Sequence, residues 1–484
     1  MKLNDSSLLQ TDSYIDGRWA SKNDKFEVLN PANGETIANV SRGGASDAEA
    51  AVAAAKAAMP AWAAKSAAER STILEKWFDL MMEHQHDLGV IMTMEQGKPL
   101  AEAKGEVAYG ASFVKWYAEE SKRVYGDTIP APSGDKRIIV IKQPIGVVAA
   151  ITPWNFPNSM ITRKAAPALA AGCTFIIKPA GETPLSALAL ARLAEMAGIP
   201  AGVFNVVTGT DSRGIGKVLT ESPDVAKFSF TGSTPVGKML YAQCTGTIKK
   251  VSLELGGNAP FIVFDDADID AAIEGALLSK YRNAGQTCVC ANRFLVQKGV
   301  YEEFATKLEQ AVKAFSLGNG MDDGVTMGPL ITKKAMDDVH QLVEDSLAQG
   351  AEVVVGGKPH ELGGSYYQPT ILRNVTNDMP IAANEIFGPV APLIQFETEE
   401  ELIKLANDTE FGLAAYFYSR DIGRIYRVAE GLEYGMVGIN EGIISNAAAP
   451  FGGVKSSGLG REGSKYGIED FLEIKYLCLG GIDK

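Results

Sequence analysis

The sequence predicts an α/β protein: a doubly wound, Rossmann-like domain, then a second α/β domain, with extended ribbons outside both. Three observations carry this prediction. Short apolar runs alternate with amphipathic stretches between Ile145 and Gly257. The alternation restarts after Gly257. The segments Arg137–Gln143 and Leu472–Cys478 look extended and belong to neither series.

Taken in chain order, the Ala-rich spacing of residues 46–68 predicts a helix, and helical pattern continues to about Ser121. Runs rich in Val and Ile at Gly146–Ile151, Thr174–Ile177, Val203–Val207, Lys227–Phe230 and Val251–Leu255 predict strands. Amphipathic stretches such as Pro184–Ala197 predict the helices between them. Strands joined through helices, with brief Gly and Pro punctuation, make parallel sheets covered on both faces. Such sheets bind nucleotides at the carboxyl ends of their strands. Past Gly257 the pattern predicts a helix at Ile269–Arg282, a strand at Arg293–Gln297, a helix at Tyr301–Phe315 and a strand at Glu352–Val355. Extended tails of this kind pair across subunits in many proteins, so a homodimer or homotetramer is expected.

Composition narrows the partners. The chain has 484 residues, 46% hydrophobic, with a net charge of −13. Nucleic acid and anionic membranes are therefore not expected as main partners, because phosphate-rich surfaces need clustered Lys and Arg. A small anion in a local basic pocket remains compatible. The first residues, Met1 to Ser7, lack the apolar core of a signal peptide, and no apolar run is long enough to span a bilayer. Five cysteines are too few for a secreted disulfide scaffold, and a reducing, cytoplasmic setting is expected.

Phe228–Met239 forms a glycine loop between a predicted strand and a predicted helix. Gly232 to Lys238 fits the phosphate-loop pattern G-x-x-x-x-G-K, but Met239 replaces the hydroxyl residue that should follow. What remains is a glycine turn at a helix start, where free amides and the helix dipole favour an anion. Ser233 adds a hydroxyl there; a plain strand-to-helix turn is the alternative.

The stretch Asn283-Ala-Gly-Gln-Thr-Cys288-Val-Cys290 places two of the cysteines one residue apart. No second Cys or His pair lies near in sequence, so no metal site is expected. One intervening residue would strain a disulfide. A nucleophile and an inert packed cysteine remain open. Two further stretches bear on the choice. Leu253-Glu254-Leu-Gly-Gly-Asn258 puts a carboxylate between apolar neighbours at a strand end, which disfavours its ionised form and suits a general base. Pro153-Trp-Asn155-Phe-Pro157 brackets an amide with prolines, suited to donate to an oxyanion. A salt-bridged strand residue and an Asx turn are the respective alternatives.

Six ordered motifs then point one way: Pro153–Pro157, Lys178-Pro-Ala, Phe230-Thr-Gly-Ser233, Leu253–Gly257, Gly285-Gln-Thr-Cys288 and Glu385-Ile-Phe387-Gly-Pro389. Together they resemble the aldehyde dehydrogenase superfamily over almost the whole chain. The resemblance implies a nucleotide-binding domain at 1–123 and 144–256, a catalytic domain at 257–456, and an oligomerisation ribbon at 124–143 and 466–484. It implies Cys288 as nucleophile, Asn155 and the Cys288 amide as oxyanion donors, and Glu254 as the base for a hydrolytic water. It places Trp154, Lys178, Gly181, Gly232, Ser233, Glu385 and Phe387 at the cofactor.

Within that superfamily, Met160–Lys164, Lys280–Gly285, Asn440–Ser445 and Gly458–Gly467 are similar to succinate-semialdehyde dehydrogenases. Arg163, Arg282 and Ser445 are then expected to hold the distal carboxylate of a small aldehyde acid, since Arg binds carboxylate in bidentate fashion. Glutarate semialdehyde is the close alternative substrate. Gly181 stands where NAD-preferring relatives often carry Glu, so NADP is the expected cofactor and NAD the alternative. Cys290 resembles the second cysteine of a Cys-x-Cys redox switch in some of these enzymes.

Overall fold

The structure is a computed structural model that describes residues 1–483. Its first sheet has eight strands. Five are parallel, in the spatial order Lys250–Glu254, Val225–Thr231, Val147–Ile151, Thr174–Lys178, Phe204–Val206. Ser13–Ile15 with Arg18–Ala20 closes one edge antiparallel, and Gly458–Leu459 closes the other. The second sheet has seven strands, with Ala259–Val263 beside Ala291–Gln297 and Ala414–Tyr418 near its centre. Every residue of Thr174–Lys178 and of Ala259–Val263 is buried, as expected of strands covered on both faces.

The predicted helix Pro184–Ala197 and strand Glu352–Val355 appear with the bounds read from the sequence. The predicted helix Ile269–Arg282 ends at Lys280, because Arg282–Gly285 winds into a tight turn with Asn283 and Ala284 left-handed at φ 53°. The extended segments widen to Lys136–Pro144 and Leu472–Gly480, which pair in antiparallel register and take Asp127–Ile129 as a third strand. Lys484, the end of the expected ribbon segment, lies outside the described residues. Four helices, Ala45–Ala63, Ala67–Glu83, Gln85–Gln96 and Leu100–Glu120, occupy the long helical stretch. No described helix is long and apolar enough to cross a membrane.

The two large sheets meet at Gly256–Asn258, between the strands Lys250–Glu254 and Ala259–Val263. Gly257 is required there: a Cβ on it would collide with the Cys288 carbonyl. Gly285, at φ +77°, likewise passes against the Gly388 carbonyl. Gly257 lets the end of the first sheet's Lys250–Glu254 strand approach the Cys288 loop, and Gly285 lets two loops of the second sheet, those before Ala291–Gln297 and Val390–Phe396, pass against each other.

Candidate active site

The first sheet delivers its candidates from the carboxyl ends of its parallel strands. Val147–Ile151 leads to Trp154 and Asn155, Thr174–Lys178 ends on Lys178, Val225–Thr231 leads to Gly232 and Ser233, and Lys250–Glu254 ends on Glu254. The second sheet delivers Cys288 just before Ala291–Gln297, and Glu385 and Phe387 just before Val390–Phe396.

Asn155 and the Cys288 loop are tied directly. The Asn155 side-chain amide donates to the Gln286 carbonyl at 3.1 Å, and its Oδ1 accepts from the Phe156 amide at 3.1 Å. Asn283 Nδ2 donates to the same Gln286 carbonyl at 3.1 Å and to the Asn155 carbonyl at 3.0 Å. Cys288 is partly open to a cavity of about 210 Å³, whose wall also holds Arg163, Arg282, Ser445, Thr287, Phe156 and Phe451. Burial pushes its thiol up to about 12; Arg163 opposes this, whereas the Glu385 and Glu254 carboxyls reinforce it.

Glu254 is 2% exposed, and neither carboxyl oxygen has a hydrogen-bond partner among the described residues. Burial, reinforced by Glu462, holds its carboxyl well above the usual range, with Arg163, Lys164 and Arg461 acting against the shift. It is not the salt-bridged strand residue that the sequence also allowed.

The two arginines differ. Arg163 stacks 3.9 Å from the Phe451 ring, and its Nη2 lies 2.7 Å from Glu462 Oε2. Arg282 forms no ion pair among the described residues; its guanidinium lies 5.6 Å from the Phe156 ring and its Nε has no partner. Ser445 stands by the Tyr109 hydroxyl in the same wall. Cys290 is buried, and its thiol donates to the Ser279 and Lys280 carbonyls at 3.0 and 3.1 Å. Among the described residues no group of three His, Cys, Asp or Glu side chains is placed to hold a metal.

A second set of candidates gathers beyond this cavity. Trp154 and Phe387 meet edge-on with ring centroids 5.6 Å apart. Glu385 Oε1 accepts from the Gly257 amide at 3.0 Å, and burial lifts its carboxyl to about 7. Ser233 precedes the helix Thr234–Cys244, and its side chain makes no capping bond. Lys178 is buried, with Nζ donating to the Pro179 carbonyl at 3.0 Å; burial lowers its pKa. Gly181 lies with Arg42, Glu182 and Thr210 in the wall of a second cavity of about 780 Å³. A Cβ on Gly181 would meet only the Thr210 methyl, at 3.8 Å, so the space over this glycine is open.

Several residues here escaped the sequence reading. Lys98, Glu102, Glu106 and Tyr109 reach the first cavity from the helix Leu100–Glu120 and the turn before it. Arg42 hydrogen-bonds Thr210 from a different part of the chain. Of these, only the Glu102–Glu106 spacing, which puts two carboxylates on one helix face, was visible beforehand.

Comparison with known proteins agrees with this geometry. The aldehyde dehydrogenase family profile matches residues 19–477. The chain is 63% identical to the NADP+ succinate-semialdehyde dehydrogenase of Escherichia coli K12, covering 99% of this chain and all of that one. It is 62% identical, over the full length of both chains, to the 3-sulfolactaldehyde dehydrogenase of Pseudomonas putida and to a glutarate-semialdehyde dehydrogenase of Pseudomonas aeruginosa. The crystal structure of an Escherichia coli NADP-dependent enzyme superimposes with a TM-score of 0.98 at 63% identity, covering 99% of this chain and 100% of that one. The chain belongs to the aldehyde dehydrogenase family.

Proposed function

We propose that the protein oxidises succinate semialdehyde to succinate with NADP, and that one observation carries this reading. A single small cavity holds Cys288 in the same wall as the unpaired cation Arg282, with Arg163 and Ser445 beside them. A short aldehyde with a distal anion satisfies both ends. A neutral aldehyde leaves the half-buried Arg282 without an anionic partner, which is unfavourable.

The residues present fit a phosphorylated dinucleotide. Ser233 offers a free hydroxyl at a helix N-terminus for the pyrophosphate, and Glu385 offers an acceptor to a ribose. Lys178, Arg42 and the open space over Gly181 suit a ribose 2′-phosphate. Trp154 and Phe387, which meet edge-on, serve the nicotinamide end of the cofactor. When bound, the nicotinamide accepts the hydride that leaves the substrate carbon.

In this mechanism the Cys288 thiolate adds to the aldehyde carbon, favoured by the Arg163 charge. Asn155 Nδ2 and the Cys288 amide donate to the resulting oxyanion, each such donor being worth about 3–4 kcal/mol. Loss of hydride leaves a thioester on Cys288. Glu254 takes a proton from water, the hydroxide adds to the thioester, and the acid leaves as the thiolate re-forms.

Residues 1–123 and 144–256 serve as the nucleotide-binding part and 257–456 as the catalytic part. The ribbon of 124–143 and 466–484 makes a homodimer or homotetramer. Its exposed apolar residues, among them Ile139, Ile474, Tyr476 and Leu479, support that role. Five free cysteines suit a reducing, cytoplasmic setting.

Glutarate semialdehyde is the second reading, favoured by the 62% identical relative that acts on it. One methylene is worth only about 1–3 kcal/mol of discrimination. Absorbance of reduced nicotinamide, followed with succinate, glutarate and neutral aliphatic aldehydes, separates these readings. Fastest turnover of the neutral aldehyde sinks both.

A further inference from the structure

A buried ionic circuit lies behind the oxyanion donor, and the mechanism above does not use it. Lys98 stands two residues before the helix Leu100–Glu120, and its side chain is 1% exposed. Its Nζ pairs with Glu106 Oε2 at 2.5 Å and donates to the Asn155 carbonyl at 2.8 Å. The remaining face of the ammonium sits 4.0 Å from the Phe156 ring. The charge is thus fully engaged, with a carboxylate, a carbonyl and a π face, and none of it is left for a substrate anion.

Glu106 extends the circuit. Its other oxygen accepts from the Asn158 and Ser159 amides at 3.0 and 3.2 Å, at the start of the helix Ser159–Ala171 that carries Arg163. The Asn158 side chain makes no cap there, so Glu106 takes that place from another helix. One turn earlier, Glu102 Oε2 accepts from the Asn283 amide at 2.8 Å, and Asn283 Nδ2 donates to the Asn155 carbonyl at 3.0 Å. The Asn155 carbonyl is therefore gripped from two sides, by Lys98 and by Asn283. Its side-chain amide, three bonds along the same residue, donates to the Gln286 carbonyl of the Cys288 loop.

A buried ion pair contributes little net stability compared with apolar packing, since both charges must leave water. Its use here is directional. We propose that Lys98, held by Glu106, is a positioning residue that fixes the Asn155 backbone so that its carboxamide meets the developing oxyanion. This rests on the dehydrogenase reading. Small displacements of such a donor are costly because its worth depends on pre-set geometry.

The test uses the full-length enzyme with Lys98→Met, which keeps the stem over Phe156, and with Lys98→Met/Glu106→Gln, which leaves no lone buried charge. Expected for both is a fall in kcat of about 10–100-fold, with the aldehyde KM within threefold of wild type. Iodoacetamide labelling of Cys288 and the NADP Kd should stay within twofold. In an Asn155→Ala background, either change should lower kcat less than threefold further, because the group it positions is gone. Lys98→Arg should restore part of the loss. Full additivity with Asn155→Ala, an unchanged kcat, or a loss confined to KM would each overturn the proposal. A wild-type protein without turnover on any aldehyde would instead overturn the dehydrogenase reading beneath it.

Discussion

Arg163 Nη2 lies 2.7 Å from Glu462 Oε2, both side chains out of solvent, in the wall of the cavity that opens on Cys288. Glu462 also receives Lys164, so one carboxylate balances two cations. Arg282 shares the cavity wall without any such partner among the described residues. On the proposed reading the two arginines then divide the work, Arg163 serving the fold through Glu462 and Arg282 meeting the substrate anion.

Substitution should separate them. Arg282→Gln is expected to lower kcat/KM for semialdehyde acids by about 10–100-fold, the worth of a charged hydrogen bond, with a Tm close to wild type. Turnover of a neutral aldehyde should hold or rise. Arg163→Gln unbalances a buried cluster and is expected to cost about 3–5 kcal/mol of stability as well as activity. Thermal denaturation beside substrate kinetics checks both, and equal Tm losses would erase the distinction.

That division was not readable in the sequence, and the reason is physical. Arg163 and Glu462 are far apart in the chain, and no local pattern pairs them. Runs such as Thr174–Ile177 were legible because a strand buried on both faces must be apolar throughout. Cys288, Glu254 and Asn155 could be singled out because each sits in a short motif next to a strand end. Lys98 could not be, and the Glu102–Glu106 spacing alone did not mark a site, because charged residues on or beside an amphipathic helix look like a solvated face until the partner loops are placed against them. The N-terminal strands Ser13–Ile15 and Arg18–Ala20 were missed for a related reason. Each is three residues long and becomes a strand only through its sheet partner, as where Tyr14 meets Val206.

Gly181→Glu tests the cofactor. Its backbone is not left-handed, and a Cβ meets only Thr210, so the fold should accept the side chain. A carboxylate there would face a ribose 2′-phosphate and repel it. NADP kcat/KM is expected to fall at least about 10–100-fold while NAD is kept or improved, since like charges across a contact cost several kcal/mol. Parallel kinetics with both cofactors decide it; an unchanged NADP preference would move the 2′-phosphate elsewhere.

Cys290 gives a redox prediction. Peroxide converts the Cys288 thiolate to a sulfenic acid; attack by the Cys290 sulfur then releases water and closes a disulfide. Closing it means giving up the bonds from Cys290 to the Ser279 and Lys280 carbonyls, so the disulfide should be labile. Wild-type enzyme inactivated by peroxide should recover most of its activity in dithiothreitol. Cys290→Ala should recover little after longer exposure, because its sulfenic acid oxidises further. Equal recovery by both proteins would reduce Cys290 to a packing residue.

The cofactor role proposed for Glu385 predicts a pH dependence of binding. Burial lifts its carboxyl from the ordinary 4.5 to about 7, against the opposing Gly257 amide and Lys280 charge. For folding, a raised carboxyl value means that the protonated form contributes stability present below about 4.5 and lost as pH rises through about 7. For the cofactor the sign is reversed: ribose hydroxyls donate to the ionised carboxylate, so affinity should rise as pH passes about 7. NAD is the right probe, because a 2′-phosphate would itself titrate near pH 6. Its Kd, read by quenching of protein fluorescence, is expected to be about 3–10-fold weaker near pH 6 than near pH 8, the span open to a hydrogen bond that gains a charge. Glu385→Gln should flatten that profile and sit near the low-pH affinity throughout. A variant that keeps the wild-type slope would show that another group carries the titration, leaving Glu385 as a mere bracket for the Gly257 turn.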